Sequence, residues 1–233
     1  MTILIQRSAQ EEPQSYNVEL EGITLLTLLN HIKTKIDPTL TYSSGCRSGI
    51  CGSCAVRVNG QEVLMCEYKP NDGDTVEPIR NVRVIRDLVV DSSHIERFNT
   101  TAQGWSEESR EGKVSEEEME RIQTQSDCIL CSSCASACPV YAVNPDFIGP
   151  FALTRVWRYV SDSREISSDA KMAAIQTNGI WDCTLCGECV PVCPQGIAPA
   201  QDIRMLRSKS GMMGYNDPTM SFGGGLDFGG VSF

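Results

Sequence analysis

The sequence predicts an α+β fold in two parts, a strand-rich stretch over residues 1–103 and a helical stretch over 104–207, followed by a glycine-rich tail over 208–233. Three observations predict it. Short runs of Ile, Leu, Val and Tyr punctuated by turn residues fill the first part, while apolar residues recur at helical spacing in the second. Twelve cysteines fall into three groups of four, one group in the first part and two in the second.

Taken in order, residues 2–5 and 16–20 read as an opening strand pair, and 24–32 as a short helix with leucines on one face. A glycine-rich loop carries Cys46, Cys51 and Cys54. Residues 55–58 and 63–66 then form a hairpin that turns at Asn59-Gly60, the strongest short-range hairpin signal. Hydrophobic content drops between Ile95 and Glu116, where Gly, Thr, Ser and acidic residues mark a boundary. From Gly104 to Glu120 there are seven acidic and two basic residues, the pattern of a solvated helix or linker. Beyond it, 151–160 and 168–177 carry helical periodicity. The tail has too little periodicity for a core and reads as disordered or laid on a partner.

At 233 residues, with 41% hydrophobic and 21% charged residues, the chain has the composition of two modest globular domains. The N-terminus, MTILIQRSAQ, shows neither a basic n-region nor a long apolar h-region, so the reading is of an unexported chain. In that setting thiols stay reduced and clustered cysteines read as metal ligands or redox groups rather than disulfides. No apolar run is long enough to span a bilayer. A net charge of −10 argues against a nucleic-acid partner. Dinucleotide, P-loop and serine-nucleophile motifs are all missing, and the run Gly223-Gly224-Gly225-Leu226-Asp227-Phe228 puts Phe where a nucleotide loop needs glycine. His31 and His94 lie apart from every cysteine group in sequence and read as ordinary surface.

The first group, Cys46, Cys51, Cys54 and Cys66, has the spacing C-x4-C-x2-C with a distant fourth cysteine. That is the plant-type pattern for four thiolates on a [2Fe–2S] cluster. The glycines of its loop let the backbone wrap and point N–H groups at sulfur. The strand–strand–helix–loop–hairpin order is that of a β-grasp ferredoxin. Zinc is the competing metal, but zinc sites usually arrive as two cysteine pairs. The second and third groups, Cys128/Cys131/Cys134/Cys138 and Cys183/Cys186/Cys189/Cys193, each read C-x2-C-x2-C-x3-C-P. This is the bacterial two-cluster ferredoxin run, in which the fourth cysteine starts a helix pointing away and serves the other cluster. The expected sets are therefore Cys128, Cys131, Cys134 and Cys193 on one [4Fe–4S] cluster, and Cys138, Cys183, Cys186 and Cys189 on a second. If Cys186 is not a ligand, the latter is [3Fe–4S]. The expected product of the chain is electron transfer, with no substrate chemistry of its own.

Over residues 1–207 the sequence resembles the iron–sulfur subunit of succinate dehydrogenase and fumarate reductase. The resemblance rests on the loop from Cys46 to Cys54, on Cys138-Pro139-Val140-Tyr141 with Asn144-Pro145-Asp146-Phe147-Ile148-Gly149-Pro150, on Asp162-Ser163-Arg164, and on Cys193-Pro194-Gln195-Gly196, with Gln where Lys is usual. It implies a flavoprotein partner holding covalent FAD and interconverting succinate and fumarate, and electron flow through the three clusters to a membrane anchor and quinone. It implies a peripheral subunit on the cytoplasmic side of the membrane. Two departures matter. Cys186 stands where the usual member has a non-cysteine residue and a [3Fe–4S] cluster, and Ala142, Val143 and Thr184 replace the aromatic and His positions of quinone-linked members. The pattern is similar to the subgroup with a second [4Fe–4S] cluster and a cysteine-rich, heterodisulfide-reductase-like anchor. The alternatives are a related flavoprotein complex, such as a thiol-dependent fumarate reductase, and a free ferredoxin-like carrier. Against the latter stand the 44 residues between Cys138 and Cys183 and the 26-residue tail.

Overall fold

The computed structural model describes residues 1–8, 12–106 and 109–218. Most of the glycine-rich tail, including the run from Gly223 to Phe228, lies outside the described residues.

A five-stranded mixed sheet organises the N-terminal part. Strands β1 (Thr2–Ile5), β2 (Gln14–Asn17), β3 (Ala55–Val58), β4 (Gln61–Leu64) and β5 (Thr75–Glu77) lie in the order β2-β1-β5-β3-β4. Only the β1–β5 pair is parallel; the others are antiparallel. Helix α1 (Leu25–His31) is capped by the Thr24 hydroxyl, which accepts from the Thr27 N–H. It continues into a wide π turn over Ile32–Ile36. Its Leu25, Leu26, Leu28 and Leu29 pack onto Ile3, Ile5, Val56, Val58 and Val76 from the sheet. The β3–β4 turn has Asn59 at φ 50° and Gly60 at φ 87°, the left-handed pair that matches strand twist. Compared with the sequence reading, β2 sits at Gln14–Asn17 rather than 16–20, and β4 at Gln61–Leu64 rather than 63–66. Both shifts follow from register: Thr2 pairs with Asn17, and a two-residue turn sets Val58 opposite Gln61.

A small hairpin, β6 (Val84–Arg86) and β7 (Val89–Val90), leads into the helices. These are α2 (Ser93–Ala102), α3 (Glu116–Ser126), α4 (Ser133–Ser136), α5 (Pro139–Val143), α6 (Pro150–Val160), α7 (Ser168–Ala174) and α8 (Pro199–Met212). Helix α6 is central. Phe151, Ala152, Leu153 and Val156 pack against Phe98 and Ala102 of α2, Met172 of α7, and Ile203 and Leu206 of α8. The acidic stretch forms the start of α3, closed by a capping box between Ser115 and Glu118.

Two separate cores thus divide the chain, one ending at Leu88 and the other beginning at Phe98. The crossover falls near Ser93, earlier than the division expected at 103, because α2 buries His94, Phe98 and Ala102 on one face against the helices. The second part also runs past 207, since α8 continues to Met212 with Ser210 fully buried.

Candidate metal centres

The first cysteine group lies on the loop between α1 and β3 and on the turn after β4. Cys54 and Cys66 are buried with their sulfurs 3.4 Å apart, while Cys46 and Cys51 are exposed. Backbone donors converge on these sulfurs. Ser48 and Ile50 donate to Cys46 Sγ at 3.4 Å each, Cys46 to Cys51 Sγ at 3.3 Å, and Gly49 to Cys66 Sγ at 3.3 Å. The Ser48 N–H, the Cys51 thiol and the Ile50 N–H lower the Cys46 thiol to about 6. Burial pushes Cys54 the other way, up to about 12. The loop is tightly wound: a Cβ on Gly45 would lie 2.8 Å from Ser53 Oγ and 2.9 Å from Cys51 Sγ, so these side chains would have to move.

The other two groups interleave. A small apolar cavity is lined by Cys128, Cys131, Cys134 and Cys193, together with Leu130, Phe151, Thr154 and Pro194. Three of these thiols come from one motif and the fourth from the other. Burial raises the Cys138 thiol, and the thiols that add to it are Cys183 and Cys186. Burial raises Cys189 to about 12, with Cys183 and Cys138 again as its neighbours. Cys134 also feels Cys189, so the two sets adjoin.

Each motif's first turn is built alike. Leu130 and Leu185 both take φ 55°, and Leu185 donates its N–H to Cys183 Sγ at 3.4 Å. The fourth cysteines differ. Cys138 precedes α5, with Pro139 in its first turn, as expected of a cysteine that starts a helix. Cys193 does not: Gly196 takes φ 68° and turns the chain, and α8 begins only at Pro199.

Among the described residues no three His, Cys, Asp or Glu side chains converge on one point as they would around a single ion. The thiols instead surround a volume. A soft, all-thiolate donor set around an apolar cavity, with backbone N–H groups aimed at sulfur, fits a polynuclear iron–sulfur group.

His94 is not surface. It is 9% exposed, and its Nδ1 faces the Asp91 carbonyl at 3.1 Å, so that nitrogen carries the proton. Nε2 then accepts from the Ser132 hydroxyl at 2.8 Å. Ser132 stands in the left-handed region between Cys131 and Cys134, so His94 braces a cysteine loop from outside it. Burial depresses its basicity and keeps it neutral. The spacing of His94, Phe98 and Ala102 along one helix face was the available signal. His31 is half-buried, with no link to a cysteine.

Comparison with known proteins agrees with this geometry. Residues 2–97 match the 2Fe-2S iron-sulfur cluster binding domain, and residues 124–197 the 4Fe-4S dicluster domain. The chain is 39% identical to the 8-methylmenaquinol:fumarate reductase iron-sulfur subunit of Wolinella succinogenes, over 85% of this chain and 67% of that one. It is 37% identical to the fumarate reductase iron-sulfur subunit of Mycobacterium tuberculosis, over 91% of each. A chain of the Mycobacterium smegmatis Sdh1 complex in the apo form shares the fold, with a TM-score of 0.80 over 92% of this chain, 97% of that one, and 24% identity.

Proposed function

Since the chain belongs to the family of succinate dehydrogenase and fumarate reductase iron–sulfur subunits, we propose that it holds three clusters, one [2Fe–2S] and two [4Fe–4S], on all twelve cysteines. It is the electron-transfer component of an oxidoreductase complex of that family, and its two matched domains are of the 2Fe-2S and 4Fe-4S types. The finer reading assigns Cys46, Cys51, Cys54 and Cys66 to [2Fe–2S]. It assigns Cys128, Cys131, Cys134 and Cys193 to one [4Fe–4S] and Cys138, Cys183, Cys186 and Cys189 to the second. The observation that carries it is the interleaving of the helical-part thiols, three from one motif with the fourth from the other.

When bound, the clusters supply one-electron exchange. The chain's own residues hold, shield and tune them. Ser48, Gly49 and Ile50 offer N–H groups to ligand sulfurs. Phe151 and Leu130 give apolar walls to the cavity of Cys128, Cys131, Cys134 and Cys193. Neutral His94 braces its loop through Ser132 without adding charge.

The partners proposed are a flavoprotein subunit with FAD and a membrane anchor. The reading places the subunit peripherally on the cytoplasmic side; among the described residues no helix is long and apolar enough to cross a membrane. Cys186, Thr184, Ala142 and Val143 are all exposed, Val143 by 83%. We read this surface as facing a cysteine-rich, heterodisulfide-reductase-like anchor with its own cofactors, with quinone served indirectly.

The test is anaerobic purification of the intact complex from its native source. The expected result is about ten irons per chain with equal acid-labile sulfide, together with a co-purifying flavoprotein. Stoichiometric zinc in place of iron would overturn the cluster reading.

A further inference from the structure

The first cysteine loop and the later ones meet at two places, each at a glycine of the first loop. At the first, a Cβ built on Gly52 would stand 2.6 Å from the Ile129 carbonyl oxygen and 2.9 Å from both Cα and Cβ of Cys131. The two backbones are therefore as close as chains can run, and Gly52, at φ +70°, is also in a conformation that favours glycine. Cys131 and Ile129 themselves pack against the N-terminal core. At the second, Gln195 Nε2 donates to the Gly49 carbonyl at 3.0 Å, across 146 positions of sequence. Gly49 is buried, and its N–H is already given to Cys66 Sγ. Gln195 stands two residues beyond Cys193, behind Pro194.

We propose that Gln195 is a positioning residue: its amide clasps the first loop through Gly49 and holds Gly52 against the Ile129–Cys131 backbone. It thereby sets the gap that electrons cross between the Cys46/Cys51/Cys54/Cys66 site and the Cys128/Cys131/Cys134/Cys193 site. This rests on the cluster assignment above.

Three features favour the clasp over an incidental bond. It ties a peptide that is itself bonded to a ligand of one site to a residue next to a ligand of the other. A buried carbonyl that lost it would be left unpaired, so the loop would shift to find water. And the tie is neutral, so it fixes distance without adding charge beside either site. Because electron exchange weakens steeply with separation, a small loop displacement would be felt.

The experiment uses the full chain loaded with its clusters, as wild type, Gln195→Ala, Gln195→Glu and Gln195→Lys. Iron and sulfide are assayed first. A wild-type chain without a two-iron paramagnetic signal would sink the cluster assignment itself, and the clasp with it. Then the microwave-power saturation of that signal is measured in the fully reduced protein, where a neighbouring reduced cluster speeds its relaxation. The rate of electron equilibration between the two centres after pulsed reduction is measured alongside. Gln195→Ala and Gln195→Glu, the latter isosteric but unable to donate, should keep their iron, saturate at lower power and equilibrate several-fold more slowly. Gln195→Lys restores a donor and should return both readings toward wild type. Unchanged relaxation and rate in Gln195→Glu, or a loss in all three variants alike, would overturn the proposal.

Discussion

Replacing Asp202 by asparagine should flatten the pH dependence of stability and strengthen the fold on the alkaline side. Asp202 lies in the first turn of α8, is 3% exposed, and accepts from Thr154 Oγ1 at 2.8 Å and Gln125 Nε2 at 2.9 Å. Both partners are neutral, so burial dominates and lifts the carboxyl from an ordinary 3.8 to about 6. A carboxyl raised on folding makes the native state bind more protons than the unfolded one between those values. Stability therefore falls as pH rises through them, and the penalty is complete above the folded value. At full ionisation it amounts to about 3 kcal/mol, of which about 1.4 kcal/mol falls between about pH 5 and pH 8. Asparagine keeps the shape and removes the charge. Gln125 Oε1 is buried without a partner, so a turn of that amide would accept from the new side chain. Anaerobic urea unfolding of the cluster-loaded chain, followed by its tryptophan fluorescence across that range, gives the difference between wild type and Asp202→Asn. The gap should widen toward alkaline pH by about 1.4 kcal/mol. Parallel profiles would refute the reasoning.

Three other expectations are open to the same preparations. Cys186→Ser should lose one iron per chain or hold it more weakly, with the third centre's potential shifted upward, as iron analysis and redox titration would show. A wild-type protein that already carries a fully occupied three-iron signal before any oxidation would contradict it. Lys171→Met should destabilise by about 3–5 kcal/mol, because Lys171 is fully buried and its Nζ lies 3.6 Å from the equally buried Glu165, 3.1 Å from Ser167 Oγ; adding Glu165→Gln should recover most of the loss in denaturant titrations. Gly52→Ala should cost about 2–5 kcal/mol, combining left-handed strain with overpacking against Ile129 and Cys131, and a loss below about 1 kcal/mol would show that the two loops yield easily.

What the sequence made legible was local. The three cysteine groups, the glycine loop and the Asn59-Gly60 turn are short-range patterns, where spacing and backbone freedom decide the structure. The helices expected at 151–160 and 168–177 were likewise written in their own periodicity and stand at Pro150–Val160 and Ser168–Ala174, the second three residues shorter than expected. Strand β5 was not, because three residues in the middle of a sheet carry no alternation to read; its place comes from β1 and β3 on either side. The burial of Lys171 and Asp202 was hidden for a different reason. Asp202 is matched by Thr154 and Gln125, 48 and 77 positions away, which no local pattern announces. His94 is the instructive miss. Its stripe with Phe98 and Ala102 was visible, but Gly, Thr and acidic residues just beyond it drew the boundary ten residues late and left the helix on the wrong core.

The repeat in the helical part carries more than ligand identity. In both motifs the residue before the second cysteine takes φ 55°, and the residue after it is again left-handed, Ser132 at 62° and Gly187 at 88°. A backbone that turns twice in the same sense places Cys186 in its loop as Cys131 is placed in its own. The surroundings then diverge. Cys131 is half-buried, meets Ser133 Oγ at 3.3 Å and lies against Gly52, whereas Cys186 is exposed and open space surrounds Gly187. In the three-cluster reading the two cubane sites therefore share ligand type and loop geometry, and differ in solvent access and hydrogen bonding, two of the terms that set a cluster's potential. The chain would tune one site against the other by what covers it, and in the assembled complex that cover at Cys186 would come from the subunit seated on it.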